Sequence, residues 1–108
     1  MPAPHAHIPF QKIPEHIGFM RKQRLDLEIY FGAAALDTAS AEDIKALRND
    51  LDYGPAISIH APFMDLSPGA VDPKVREVTM ERFDHVLDVA EILAPETIVF
   101  HSGYEKWK

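Results

Sequence analysis

Hydrophobic and polar residues alternate along the chain with two different periods, which predict strands alternating with helices. Short β-branched runs with one-by-one alternation predict strands, whereas apolar residues three and four positions apart predict amphipathic helices. The predicted strands cover residues 5–10, 25–31, 56–60 and 97–101. The predicted helices cover residues 14–22, a segment that begins after Ser40, and a long segment between Pro73 and Pro95. This alternation is typical of a parallel α/β sheet.

Capping residues indicate where the two longer helices begin. Ser40 predicts an N-cap, and Asp43 three residues later completes a short capping box. Asp72 predicts the second N-cap, with Pro73 at the first helical position. Residues 32–38 and 62–71 are predicted to be loops, and the second is longer than most strand-to-helix connections. The apolar stripes expected to be buried are Ile44, Leu47 and Leu51 in the first of these helices, and Val75, Val78, Phe83, Val86, Leu87, Ala90 and Leu93 in the second.

Residue parity within the strands separates an apolar face from a polar face. In the second strand Leu27 and Ile29 share one side, while Glu28 and Tyr30 share the other, because successive side chains point to opposite faces. A doubly wound sheet has helices on both faces, so a whole polar face would be costly there. A barrel instead has a helix-covered outside and an interior that opens at the carboxyl ends of its strands. We therefore predict a (β/α) TIM-barrel type of fold.

The chain has 108 residues, whereas a complete eight-stranded barrel takes roughly 200 or more. We expect residues 1–108 to form a single half-barrel of about four parallel strands with helices on the outer face. Such a half is either a fragment of an eight-stranded barrel or a unit that associates with another half. Because unpaired strand edges favour pairing, a homodimer through the exposed barrel edges is one expected outcome.

Two histidines stand at the ends of successive predicted strands. His60 ends the third strand and His101 ends the fourth, and the carboxyl ends of parallel strands are where α/β proteins place their chemistry. The chain has no cysteine, so a metal would be held by His, Asp, Glu and water. Neutral imidazole suits Zn, Mn, Fe or Co, so the spacing predicts a divalent metal without naming it. The alternative is a pair of hydrogen-bonded interior histidines.

The His-Ala-Pro motif at 60–62, with its long loop, and the Val-Phe-His-Ser-Gly segment at 99–103 resemble the xylose isomerase-like TIM-barrel superfamily. Within it the sequence is most similar to the sugar phosphate isomerase/epimerase family, which is related to endonuclease IV. The resemblance covers the N-terminal half of such a barrel. It implies a divalent metal at the barrel mouth, with His60 and His101 matching histidine ligands of the endonuclease IV branch. The carboxylates that complete these sites come from later strands.

Four further residues are candidates for the same site. Glu28 is the candidate catalytic carboxylate, which would hold a substrate hydroxyl or orient a ligand histidine; the alternative is an interior carboxylate paired with a cation. His7 and Tyr30 share its face and are candidate substrate-binding residues. Asp65 follows the His-Ala-Pro turn, where it would bind substrate or pin the long loop through its own backbone.

The charge and hydropathy of the chain limit its expected partners. The formal net charge is −6, whereas nucleic-acid-binding surfaces are usually basic, so nucleic acid is a disfavoured partner. No apolar run approaches the ~20 residues of a membrane helix, and the N-terminus lacks a secretory signal pattern. Together with the absence of cysteine, these features favour a cytoplasmic protein whose partners are small polar ligands. The family resemblance implies that the ligand is a small sugar or sugar phosphate.

Three functions remain open from the sequence. The leading hypothesis is a metal-dependent sugar or sugar-phosphate isomerase or epimerase, active once completed to a full barrel. The second is a metal-dependent phosphodiesterase of the endonuclease IV type. The third is a half-barrel without catalytic activity that binds a ligand or self-associates.

Overall fold

The computed structural model describes residues 5–62, 66 and 68–100. Within them, strands and helices alternate as the periodicity predicts, although each strand is shorter than predicted. The strands are β1 (Ala6–Pro9), β2 (Leu27–Tyr30), β3 (Ile57–His60) and β4 (Thr97–Val99). The helices are α1 (Ile13–Gln23), α2 (Ala33–Thr38), α3 (Ala41–Asp50) and α4 (Pro73–Leu93), and a 3₁₀ turn (Phe10–Lys12) joins β1 to α1.

The four strands form one parallel sheet in the order β1-β2-β3-β4. Strands that lie side by side in chain order are typical of a barrel wall, whereas a flavodoxin-like sheet places its second strand outside its first. The predicted class, an α/β fold of the (β/α) TIM-barrel type with four parallel strands, is therefore confirmed.

One face of the sheet carries the hydrophobic core. The side chains of Leu27, Ile29 and Ile59 on this face are 0% exposed. The register aligns Ile29 with Ile8 on one side and with Ile59 on the other, which forms a continuous apolar row across three strands. Burial of each such side chain contributes roughly 1.5–3 kcal/mol. The helices complete this core with Ile13 and Met20 of α1, Ile44 and Leu47 of α3, and Val86 and Leu93 of α4.

The predicted helix caps are confirmed at α3 and α4. The Ser40 hydroxyl accepts a hydrogen bond from the Asp43 backbone N–H at 3.1 Å, and the Asp43 carboxylate accepts from the Ser40 N–H at 2.9 Å. At α4 the Asp72 carboxylate accepts from the Lys74 backbone N–H at 2.8 Å, and Pro73 occupies the first helical position. Each cap pairs backbone donors that the first helical turn leaves without an intrahelical partner.

The prediction of a loop over residues 32–38 is wrong, because α2 occupies most of it. Its sequence begins with three alanines, the residue with the highest helix propensity. Gly32 stands at the N-cap without a side-chain hydrogen bond, so the usual polar signal for a helix start is absent. Ala35 and Leu36 are buried, and this burial holds a six-residue helix that would be marginal by itself.

The predicted buried stripe of α4 is wrong at two positions. Val78 and Leu87 are both 47% exposed, whereas Thr79 is fully buried. The buried residues Thr79, Val86 and Leu93 are seven positions apart, so the buried stripe of the helix is narrower than the apolar sequence suggests. Thr79 tolerates burial because its hydroxyl donates to the Val75 carbonyl at 2.8 Å. Across the described ranges, no helix combines the length and apolar character needed to cross a membrane.

Polar contacts hold α4 against the preceding helices. Arg82 donates to both carboxylate oxygens of Asp37 in α2, and Arg48 of α3 donates to the carbonyl of Ile92 at 2.6 Å. The hydrogen bond from Arg82 holds the pKa of the Asp37 carboxyl below its usual value. These contacts hold one side of α4 against α2 and α3.

Candidate functional site

The face of the sheet opposite the core carries the polar side chains that parity predicts. The strand register forms two rows across it. The first row contains His7, Glu28, Ser58 and Thr97, and the second row, one step nearer the carboxyl ends, contains Pro9, Tyr30, His60 and Val99. We refer to this surface as the polar face. Every residue of β2 and β3 on this face is half-buried, whereas every residue of these strands on the other face is buried.

His7 and Glu28 are hydrogen-bonded across neighbouring strands. His7 Nδ1 lies 2.7 Å from Glu28 Oε1, with the His7 side chain 56% exposed and the Glu28 side chain 31% exposed. A carboxylate accepts hydrogen bonds, so Nδ1 is the donor and carries the proton. The two residues predicted separately as a substrate contact and as the catalytic carboxylate therefore form a single pair.

His60 ends β3 at the carboxyl edge of the sheet. Its Nδ1 donates to the Ala61 carbonyl at 2.9 Å, since a carbonyl oxygen can only accept. The His60 ring centroid lies 6.2 Å from that of His7 and 5.6 Å from that of Tyr30, both in edge-to-face geometry. Two of the predicted site residues, His7 and Tyr30, therefore lie beside His60.

Tyr30 lies over the start of α2. A methyl group added at Gly32 would lie 3.1 Å from a ring carbon of Tyr30 and 3.2 Å from its hydroxyl oxygen. Gly32 therefore leaves room for the tyrosine ring beside the carboxyl end of β2. This packing fixes one side of the polar face next to His60.

Two further residues, His5 and Ser58, lie beside this group and have no role predicted from the sequence. The structure brings them together, with Ser58 Oγ 3.1 Å from His5 Nδ1. Strand parity already places Ser58 on the face of His60, which is the signal that could have identified it. His5 lies within the predicted strand over residues 5–10 and shares the parity of His7, so the same signal could have identified it.

Two predicted site residues, His101 and Asp65, lie outside the described residues. Among those that the structure does describe, no group of three or more His, Cys, Asp or Glu side chains forms a metal cluster. Glu28, His7, Tyr30 and His60 are brought to one surface, and their chemical roles stay predictions.

Two grooves lie in the helical layer, away from the polar face. A groove of 390 Å³ is lined by α1 and α3, with Ile13, Ile17 and Leu47 among its residues. A second of 240 Å³ is lined by residues that include Ile44, His85 and Val89. Their linings are mainly side chains of neighbouring helices, as is usual where helices pack side by side.

The parallel strand order and the polar face resemble one wall of a TIM barrel, and two solved structures share this fold. No family model matches the chain. A solved structure of the TTHB071 protein from Thermus thermophilus, soaked with ZnCl2, superposes with a TM-score of 0.83 and 28% sequence identity. A D-tagatose 3-epimerase-like protein superposes with a TM-score of 0.63 and 29% identity. The resemblance to xylose isomerase-like TIM barrels is therefore confirmed, and the scaffold is isomerase- or epimerase-like.

The chain corresponds to a part of each similar protein. It is 38% identical over 71 residues to an uncharacterized protein, MJ1311, of Methanocaldococcus jannaschii, a match covering 63% of this chain and 24% of that protein. The superposition on the TTHB071 protein covers 96% of this chain and 41% of that structure. The superposition on the epimerase-like protein covers 91% of this chain and 38% of that structure.

Proposed function

We propose that the protein is a metal-dependent sugar or sugar-phosphate isomerase or epimerase whose site is the polar face. The observation that carries this proposal is His60, which lies at the carboxyl end of a barrel strand with its imidazole oriented by a backbone carbonyl. Histidine metal ligands are commonly held in this way. The 29% identity to a D-tagatose 3-epimerase-like protein supports a sugar as the substrate class.

In this proposal His60 and His101 are metal ligands, and the residues around them contact the sugar. The nitrogen and oxygen donors suit Zn, Mn, Fe or Co. When bound, a divalent metal there supplies Lewis-acid polarisation of adjacent substrate oxygens, which acidifies the carbon between them. Tyr30, His7 and Asp65 provide hydrogen bonds to the sugar. Glu28 orients His7 through the hydrogen bond between the two side chains.

The complete pocket needs a second wall. Four strands are half of the eight that close a TIM barrel, so the polar face requires further strands opposite it. We propose that these come from a longer chain or from a second copy. The proton-transferring carboxylate of the reaction belongs to that second wall.

Hydrogen exchange from the substrate carbon tests this function. The chain, joined to the strands that complete its barrel or assembled as two copies, is incubated in D2O with Zn²⁺ or Mn²⁺ and a panel of ketoses, aldoses and their phosphates, and deuterium incorporation is followed by NMR. Proton transfer predicts deuterium at the carbon next to the carbonyl of at least one sugar. His60→Ala should abolish exchange, whereas His16→Ala, an exposed histidine on α1, should leave it unchanged. Metal-bound protein with both walls present and no exchange on any of these sugars would contradict the proposal.

A second candidate function, self-association without catalysis, is favoured by an apolar flank of α4. Met80 is 50% exposed, Leu87 is 47% exposed and Phe100 is 40% exposed, and the Phe83 and Phe100 rings lie 4.6 Å apart. This flank adjoins β4, an edge strand of the described sheet, and edges with apolar neighbours favour pairing.

Light scattering distinguishes assembly from a monomer. We expect a compact dimer that Leu87→Glu dissociates and that Lys74→Glu, an exposed substitution on the same helix, leaves intact. A monomer at all concentrations, or a heterogeneous aggregate, would count against self-association as the function.

A further inference from the structure

The helices α1 and α4 each have a neighbouring helix on one flank only. On one flank of α1 a groove separates it from α3, and Arg21 pairs with Asp52, just after α3, at 3.1 Å. Helix α4 contacts α3 through Arg48 and α2 through Arg82. On the opposite flank of each helix the described chain places no further helix. We refer to these two surfaces as the open flanks of α1 and α4.

The open flank of α1 is apolar at its centre and basic at its border. Ile17 lines the groove toward α3, so with about 3.6 residues per turn Phe19 lies on the opposite flank. Phe19 is 61% exposed. Lys12, seven positions earlier, shares this flank, and Lys22 borders it three positions later. Because Lys12 also lies 3.6 Å from Glu15, Lys22 is the cation more available to a partner.

The open flank of α4 is apolar at its centre and acidic at its border. Val89 lines the groove toward α2 and α3, so Leu87 lies on the opposite flank, together with Met80 seven positions earlier. Leu87 is 47% exposed and Met80 is 50% exposed. Asp84 and Glu91, also seven positions apart, are exposed along the outer border of this flank.

The two open flanks complement each other. Both present exposed apolar side chains, and their borders carry charges of opposite sign, with Lys22 on α1 and Glu91 on α4. Apolar contact with complementary charge around it is typical of a specific interface. An unrelated partner would need to match each flank separately, whereas a second copy of the chain supplies the matching surface for both.

We propose that a second copy of this chain covers the open flanks, with the α1 flank of each copy against the α4 flank of the other. The β4 strand of one copy then lies beside β1 of the next, which continues the strand order within each copy. Two four-stranded walls related by a twofold axis give eight strands, the number that closes a TIM barrel.

This pairing supplies the second wall that the candidate site requires. The polar faces of the two copies line one interior, so neither site is complete without the other copy. The inference rests on the proposed function for the chemistry of that interior. It differs from self-association without catalysis, because the contact joins α4 to α1 and closes the pocket.

The helical flanks contribute more to this contact than the strand edges do. The Ala6 N–H donates to the carbonyl of Asp26 in the β2 segment at 2.8 Å, so by alternation His7 and Pro9 face the outer edge of β1. Pro9 has no N–H to donate. A neighbouring β4 strand therefore finds fewer donors there, and the decisive substitutions are those on the helices.

Cysteine cross-linking tests the contact, because the chain has no cysteine of its own. Phe19→Cys and Leu87→Cys are prepared separately, mixed, treated with a short bismaleimide and examined by denaturing gel and peptide mass spectrometry. We expect a dimer linked through one thiol of each variant, while the second contact of the pair keeps its native side chains. Each variant by itself should remain largely unlinked. Linkage of Leu87→Cys to itself in equal yield, or no linkage in the mixture, would overturn the inference.

The double variant Phe19→Cys/Leu87→Cys tests closure. A twofold pair predicts a covalent dimer and no larger product, because both flanks of each copy are then occupied. A head-to-tail contact that does not close would give a ladder of higher oligomers. Such a ladder would overturn the closed pair.

Charge reversal tests the complementarity of the borders. Lys22→Glu should weaken the dimer by more than about 2-fold in sedimentation equilibrium at low salt, and Lys22→Glu/Glu91→Lys should restore it. The matched control is Lys45→Glu, an exposed position on α3, which should leave the dimer unchanged. Far-UV circular dichroism verifies that each variant folds. Equal weakening by both reversals, or no recovery in the double variant, would overturn the inference.

The outcomes for the two proposals are distinguishable. A cross-linked dimer that incorporates no deuterium into any sugar supports the pairing and contradicts the isomerase proposal. A chain that stays monomeric, but exchanges deuterium once it is joined to other strands, overturns the pairing and leaves the proposed function intact.

Discussion

The two faces of the sheet are built from alternate residues of the same strands, yet they differ in almost every property. On the core face, Ile29 and Ile59 are 0% exposed and contact the helices. On the polar face, Glu28 and His60 are half-buried and hydrogen-bonded. Strand parity therefore places the residues that stabilise the fold on one face and the candidate functional residues on the other, because a one-residue step along the chain moves a side chain from one face to the other.

Substitution of neighbouring residues on opposite faces gives the largest expected difference. Ile29→Ala should lower the free energy of unfolding by about 2–5 kcal/mol, because it removes buried methyl groups and leaves a cavity. Glu28→Ala should lower it by less than about 1 kcal/mol, because the ion pair that it breaks is partly exposed to solvent. Urea unfolding of both variants measures this. Equal losses would mean that the polar face is also part of the folding core.

The N-cap of α3 should make a smaller contribution to the free energy of unfolding, and it tests the comparison in the helical layer. Ser40→Ala removes the acceptor for the Asp43 backbone N–H and should cost about 1 kcal/mol of unfolding free energy. Ser40→Asp restores an acceptor and should recover most of the loss. Zinc affinity should be unchanged in both variants, and a parallel loss of zinc binding would show that the two faces are coupled.

The ion pair between α2 and α4 should make a still smaller contribution, which depends on pH. The pKa of Asp37 is lowered from its ordinary value of 3.8, chiefly by the hydrogen bond from Arg82. The contribution is therefore complete above the unfolded pKa and disappears as the pH falls through the lower folded pKa. Urea unfolding of the wild type and Asp37→Asn should differ at about pH 6 and converge near pH 2. A constant difference at every pH would contradict this linkage.

Local signals in the sequence predict the parts of the molecule that depend on neighbouring residues. The capping box at Ser40 and the alternation in β2 both follow from short-range geometry, and the structure confirms both. Helix α2 was not predicted because its N-cap, Gly32, makes no side-chain hydrogen bond. The buried face of α4 could not be derived because long-range packing decides the burial of Leu87 and Thr79, and the more apolar of these two residues is the exposed one.

The candidate site shows the same limit. Parity predicts that His7, Glu28 and His60 share a face, and the structure places them there. Parity does not give the register between strands, which pairs His7 directly with Glu28. The hydrogen bond between His7 and Glu28 depends on that register. That His101 and Asp65 also lie on this face stays a prediction.

The most direct test of the central claim, that the polar face is a functional surface distinct from the core, is a paired measurement on His60→Ala. Unfolding free energy and zinc affinity are determined on the same preparation. The account predicts a change in unfolding free energy below about 1.5 kcal/mol, the size of one lost hydrogen bond, together with a loss of zinc affinity of more than about 10-fold. Zinc affinity equal to that of the wild type, with a loss of stability as large as that of Ile29→Ala, would contradict it.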